Sequence, residues 1–225
     1  MTQTGLTSCT VAGGNCECFD KLTVEEQDLI DSNSVEVIFK KGEYICKQGT
    51  FASHIMLITE GLAKVHIEGK HENLILRIIP EGNLVGLSSI MEGNTIFQYS
   101  SVAYIDSNIK LIDINVFRKI VAKNAAFANS IINILTENNL QIYGRFFCLT
   151  TKQSYGRLAD IILCLSERIY KKDDFELLLT RKDLGELTGM STENVIRMLK
   201  KFKDEGLIEI DGKFFSVKDP AALKR

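Results

Sequence analysis

Residues 180–203 read TRKDLGELTGMSTENVIRMLKKFK, and this stretch decides the C-terminal fold. Thr180 can cap a helix, with Asp183 three residues on in capping-box position. Ser191 can cap a second helix ahead of Thr192 and Glu193. Gly189 falls between them, where a sharp inter-helix turn needs a positive φ. Leu184, Leu187, Met190, Val195 and Leu199 fall where two crossed helices share a small core. Gly185 removes a side chain where the helices touch. Turn, small residue and core positions agree on a helix-turn-helix. An ordinary helical pair is the plain alternative.

The outside of the second helix carries chemistry suited to a DNA major groove. Glu193 and Arg197 are four apart and share a face. A carboxylate can accept from cytosine N4, and a guanidinium can pair with guanine O6 and N7. A surface Glu–Arg ion pair is the plain reading of the same spacing. The predicted DNA-contacting set is Arg181, Lys182, Ser191, Thr192, Glu193, Asn194, Ile196, Arg197, Lys200 and Lys213. Lys213 enters because GLIEIDGKFFSV reads as two short strands joined at Asp211-Gly212, a hairpin signal of the I′ type. A hairpin directly after a reading helix is a wing.

Working outward, Val35 to about Asp113 reads as all-β. VEVIF, IMLIT, AKVHI, NLILRII and NIKLID follow at short intervals, punctuated by Gly42, Gly49, Gly61, Gly69, Gly82, Gly86 and Gly93. Such spacing indicates a sandwich or jelly-roll β-barrel. Thr23 and Glu26 predict a short helix ahead of it. From Asn115 to Leu149 the pattern reads as a short helix and then a long amphipathic one. Phe127, Ile131, Leu135, Asn138, Ile142 and Leu149 recur on one stripe and are the predicted dimer seam, with Asn138 fixing register. Packing on the chain's own barrel is the alternative. The fold class is α+β. The divisions are a cysteine-containing arm (1–21), a β-roll sensor (22–114), connecting and dimerisation helices (115–149) and a winged helix-turn-helix (150–225).

The net charge is −2, which argues against a generally basic nucleic-acid coat. Residues 150–225 hold 15 basic and 13 acidic side chains, the remainder 12 and 16. Residues 191–203 hold four basic residues and one acid. Positive charge focused on the reading helix fits a site-specific binder. With no long apolar run and no export signal, no membrane span is expected and cytoplasmic residence is the default. No Gly-x-Ser-x-Gly, Walker or His-Glu-x-x-His motif is present, so no enzyme is expected. A cupin-like enzyme would share the jelly roll, but His54, His66 and His71 are scattered and read as exposed or turn residues. A cyclic-nucleotide regulatory subunit would share the roll but not the winged C-terminus.

β-roll, long helix and C-terminal wing, in that order, resemble the Crp/Fnr family of bacterial transcription regulators over nearly the whole chain. RKDLGELTGMSTENVIRMLK carries the most specific part: Gly185, Gly189, and a Ser ahead of Glu193 and Arg197. KKGEYICKQG and ITEGLAKVHI also look like its barrel strands. The resemblance implies a homodimeric regulator or activator of double-stranded DNA at a near-palindromic site, with RNA polymerase as partner. It also implies a signal sensed by the roll or the arm. Cyclic-AMP-binding members have a Glu after the glycine matching Gly86 and an Arg-Ser pair further on. Here Leu87 takes the Glu position and no Arg lies between Arg77 and Arg118, so cyclic AMP is not expected. The oxygen-sensing branch holds an iron–sulfur cluster on three N-terminal cysteines and one distant one. This chain has Cys9, Cys16 and Cys18 as the candidate metal ligands, spaced C-x6-C-x-C rather than C-x2-C-x5-C. Ile112 stands at the distant position, with Cys46 as a substitute. A cluster, a zinc site, a redox disulfide and no site all stay open for the arm, and haem gas sensing is a further family option.

Overall fold

The computed structural model describes Cys9, Val11, Ala12 and residues 16–70 and 72–224. They group into two compact units. One holds Ala12–Glu68 and Arg77–Asn139; the other holds the arm up to Val11, Gly69–Leu76 and Leu140–Arg225.

In the first unit a 3-10 turn (Glu17–Lys21) precedes α1 (Val24–Ser32), where Thr23 and Glu26 make both bonds of the predicted capping box. The strands are β1 (Ser34–Phe39), β2 (Tyr44–Cys46), β3 (His54–Glu60), β4 (Leu62–Ile67), β5 (Leu74–Pro80), β6 (Leu84–Val85), β7 (Ser100–Ala103) and β8 (Ser107–Asp113). They form two four-stranded sheets, ordered β1-β8-β3-β6 and β2-β7-β4-β5. The roll is therefore two open sheets rather than a closed barrel. β8 is the spine of the first, pairing antiparallel with β1 from Ser34↔Ile112 to Phe39↔Ser107 and with β3 on its other edge. Gly61 turns β3 into β4 at φ 114°, where a Cβ would come within 2.2 Å of Ser107 Oγ.

β8 runs into α2 (Ile114–Lys123), whose first amides Asn115 and Val116 donate to the Asp113 carboxylate. α3 (Ala125–Thr151) follows as one 27-residue helix. Ile30, Ile55, Leu87, Ile112, Phe117, Ile120, Phe127 and Ile131 make one buried core from α1, the sheet, α2 and the start of α3. Phe127 lies edge-on to Phe117 at 5.3 Å and to Phe19 at 6.1 Å.

Residues of the predicted dimer seam have different surroundings within the single chain. Phe127 and Ile131 are 0% and 2% exposed, and they fill the roll unit's own core. Leu135 packs half-buried against that core. Asn138 and Leu149 are half-buried, and Ile142 is exposed. Only the N-terminal part of the sequence stripe, Phe127 and Ile131, faces inward. Ile132, Leu140, Tyr143, Phe146 and Phe147 are open to solvent along with Ile142.

The second unit contains α4 (Ser154–Leu165), β9 (Asp174–Glu176), α5 (Arg181–Thr188), α6 (Thr192–Asp204), β10 (Ile208–Asp211), β11 (Phe214–Val217) and α7 (Pro220–Leu223). Leu158, Ile162, Leu184, Leu187, Val195, Leu199 and Phe202 are its buried centre. The wing is three-stranded, ordered β10-β11-β9. β9 was not legible because DFE is three residues long and charged at both ends. Asp211 pairs with Phe214, so the hairpin loop is Gly212-Lys213. Among the described residues, positive φ falls there on Gly212 alone, at 59°. That is the pattern of a II′ turn rather than the predicted I′.

Candidate nucleic-acid interface

The helix pair is built as its residues dictate. Thr180 and Asp183 make a full capping box on α5. Gly189 ends α5 in the left-handed region at φ 63°. A Cβ on Gly185 would lie 2.6 Å from the Met190 carbonyl oxygen. Only a glycine lets the turn pass that close. The Ser191 hydroxyl then accepts from the Asn194 amide and starts α6. Val195, Leu199 and Phe202 bury one side of α6.

The opposite side is the candidate reading face. Glu193, Ile196, Arg197 and Lys200 are exposed there, and Asn194 is half-buried. Ile196 is 54% exposed, so its side chain has no core role. The backbone amide of Glu193 itself and then the Ser191 hydroxyl hold its carboxyl below the ordinary pKa. Glu193 therefore stays ionised as an acceptor. The Arg197 guanidinium is steered by Asn194, donating to its Oδ1 at 2.8 Å. Helical spacing had suggested Glu193 for that task; Asn194, three residues back, performs it. The sequence signal was present, since an i,i+3 amide can hold an arginine.

The remaining predicted contacts divide. Arg181 lies over the Phe215 ring at 4.8 Å and donates to the Gly212 carbonyl at 3.5 Å, tying α5 to the wing. Burial lowers its pKa. Its role in the fold is to brace the wing. Lys182 is exposed and 3.9 Å from Glu186. Lys213 is exposed at the wing tip, 4.0 Å from Glu176. Lys182, Ser191 and Thr192 line a cleft of about 340 Å³ that Glu72, Asn73 and Leu74 also line.

In the roll unit, the turn at Gly86 is closed by the chain's own side chains. Gly86 has φ 96°, and its N–H donates to the Tyr99 hydroxyl oxygen at 2.9 Å. Tyr99 is half-buried, and desolvation raises its pKa. Leu87 is buried in the core. Arg118 donates to the carbonyls of Ser89, Ile90 and Met91, so it clamps this loop. Burial pulls the Arg77 guanidinium down to about 10.

The candidate metal ligands are not brought together. Cys9 is disulfide-bonded to Cys164, and Cys16 to Cys18. Cys9 belongs to the winged unit, Cys18 to the core of the roll unit. Among the described residues no three His, Cys, Asp or Glu side chains form a metal-holding group. A cluster needs four converging thiolates; these cysteines do not fit one. The histidines also differ from expectation. His66 is 1% exposed inside the roll unit, near Tyr44. His54 Nδ1 lies 2.7 Å from Ser53 Oγ. His71 lies outside the described residues.

A sequence model of the cyclic nucleotide-binding domain matches residues 36–124, and one of the Crp-like helix-turn-helix domain matches residues 156–225. The two occur in the order of the roll and the winged unit. The chain belongs to the Crp/Fnr family of transcription regulators. It is 24% identical over 225 residues to the regulatory protein HlyX of Actinobacillus pleuropneumoniae, covering 95% of this chain and 93% of that one. It is 24% identical over 212 residues to the transcriptional activator protein anr of Pseudomonas aeruginosa, covering 90% and 84%. The Crp/Fnr fold is shared with FixK2 from Bradyrhizobium japonicum, at a TM-score of 0.75 and 18% identity over 84% of this chain and 95% of that one. Among the described residues no helix is long and apolar enough to cross a membrane.

Proposed function

We propose that this Crp/Fnr chain is a homodimeric, sequence-specific DNA-binding transcription regulator, cytoplasmic and without enzymatic activity. The observation that carries the reading is the exposed face of α6. Glu193, Ile196, Arg197 and Lys200 stand there, on a helix whose other side is locked into the core. Arg197 and Glu193 read bases, while Lys182, Lys200 and Lys213 meet phosphates. Asn194 orients Arg197, and Arg181 braces the wing.

Dimerisation runs through the solvent stripe of α3. Ile132, Tyr143 and Phe146 fall at intervals of eleven and three residues, and Leu140 and Phe147 flank them. Tyr143 and Phe146 are 58% and 69% exposed in the monomer. Apolar rings so exposed support a partner surface. Two copies would place their α6 helices in successive major grooves about 34 Å apart, at a near-palindromic site. The functional parts are the arm (1–21), the sensor roll (22–114), the linking helices (115–149) and the reader (150–225). RNA polymerase is the partner on DNA. The effector is not cyclic AMP: the Gly86 amide is engaged by Tyr99, and Leu87 offers a ribose no acceptor.

The test is selection of binding sites from a random duplex pool, followed by fluorescence anisotropy on the selected site. A near-palindromic consensus bound as a dimer is the expected result. Binding without sequence preference would refute it.

A further inference from the structure

The arm is fastened to the winged unit by a covalent bond and by burial. Cys9 is 7% exposed and joined to Cys164 of α4, itself 5% exposed, at a sequence separation of 155. Two residues on, Val11 is 1% exposed, and its carbonyl accepts from the Gln141 side chain of α3 at 3.0 Å. Cys164 lies among Ile161, Ile162, Leu163 and Leu165 on the helix against which α5 and α6 pack. The arm thus adds apolar surface to the core that supports the reading helix.

We propose that Cys9 and Cys164 are a reversible thiol–disulfide couple that fastens the N-terminal arm to the winged unit and makes DNA affinity redox-dependent. The oxidant is a low-molecular-weight disulfide. One protein thiolate attacks a sulfur of that disulfide and releases one small thiol, leaving a mixed disulfide. The second protein thiolate attacks the protein sulfur of that bond and releases the second small thiol. The protein loses two electrons and two protons; the small disulfide gains both and becomes two thiols. The neighbouring thiol of the same unit does not compete. Cys148 is buried beside the Asp160 carboxylate, 3.5 Å away, and burial first and then that charge push it up to about 11. It stays protonated at neutral pH and is a poor nucleophile.

The experiment titrates the full chain with oxidised and reduced glutathione at fixed ratios, with C9S as the control that keeps the Cys16–Cys18 pair. Peptide mass mapping follows the cross-link, and anisotropy follows binding to the selected site. The expected result is a Cys9–Cys164 peptide that appears along the titration and disappears on reversal. Wild-type affinity should change by at least about fivefold over the same range, while C9S stays flat. Circular dichroism melts of C9S check that it folds. The proposal is overturned if no such peptide forms at any ratio, or if C9S responds as wild type does. The affinity readout rests on the proposed DNA-binding function. The cross-link does not, so a protein that bound no DNA would sink that function and leave the mass map to judge the couple.

Discussion

Phe127→Ala separates two readings of α3. Phe127 is fully buried between Phe117 and Phe19, inside the roll unit. Truncating a buried Phe costs about 3–5 kcal/mol. Within that, the two edge-on ring contacts contribute roughly 0.5–1.5 kcal/mol each. With a urea slope of about 2 kcal/mol/M, a loss of about 4 kcal/mol moves the unfolding midpoint by about 2 M. The assay is equilibrium unfolding followed by far-ultraviolet circular dichroism, at two protein concentrations a hundredfold apart. Tyr143→Asp, on the solvent stripe, is the companion variant. Phe127→Ala should lose its stability at both concentrations. Tyr143→Asp should keep the unfolding transition of the roll unit and lose the dimer by sedimentation. A linked dimer always adds some concentration dependence, so the comparison between the two variants decides. If Phe127→Ala unfolded like wild type and only dissociated the dimer, the seam would be the inward stripe after all and the placement of Phe127 would be wrong.

Gly185→Ala should lower the melting temperature of the winged unit by the equivalent of about 1–3 kcal/mol, because the new methyl meets the Met190 carbonyl at 2.6 Å; an unchanged melt would show that the crossing is looser. Arg197→Ala should flatten sequence preference by about 1–3 kcal/mol at one base pair of each half-site. Asn194→Ala should do the same more weakly by freeing the guanidinium. Equal losses on all sequences would make Arg197 a phosphate contact. Burial pushes the Cys46 thiol up to about 12 and the Cys148 thiol up to about 11. A raised thiol pKa keeps the protonated form at pH 8, with about one thiolate in a thousand or fewer. Iodoacetamide labelling of both in the native reduced protein should therefore be slow and rise about tenfold per pH unit from pH 7 to 10. Labelling of either as fast as in urea would contradict their burial.

How much was legible follows from which forces are local. Capping boxes at Thr23 and Thr180, the left-handed Gly189 and the close approach at Gly185 are decided within a few residues, and each formed as read. The order of strands and helices also followed from period and punctuation. What spacing leaves open depends on partners distant in sequence. Phe127 and Ile131 lie on an apolar stripe whether they face a roll or a second copy, and the periodicity is the same in both cases. Only the roll itself, through Phe117, Leu87 and Ile112, decides which. His66 is buried although its pattern suggests exposure, because alternation fixes which residues share a face, not which face is inward. Arg197 could be held by Glu193 or Asn194 on spacing alone, and rotamers decided for Asn194.

The same logic explains why the reading helix is clearer than its trigger. A recognition surface is a convex face on one helix, so its residues are neighbours in sequence. A sensor is concave and assembled from several strands. Gly86, Tyr99 and Arg118 come from separate turns, strands and helices, and they meet only after folding. Their arrangement replaces exchangeable ligand contacts with internal ones: a phenol oxygen on the Gly86 amide, a guanidinium on three loop carbonyls. A turn satisfied from within gains little from a phosphate, since binding must first displace those bonds. An effector acting there must therefore displace Tyr99. The proposed couple would act through the Cys9–Cys164 bond and leave the Tyr99–Gly86 contact in place.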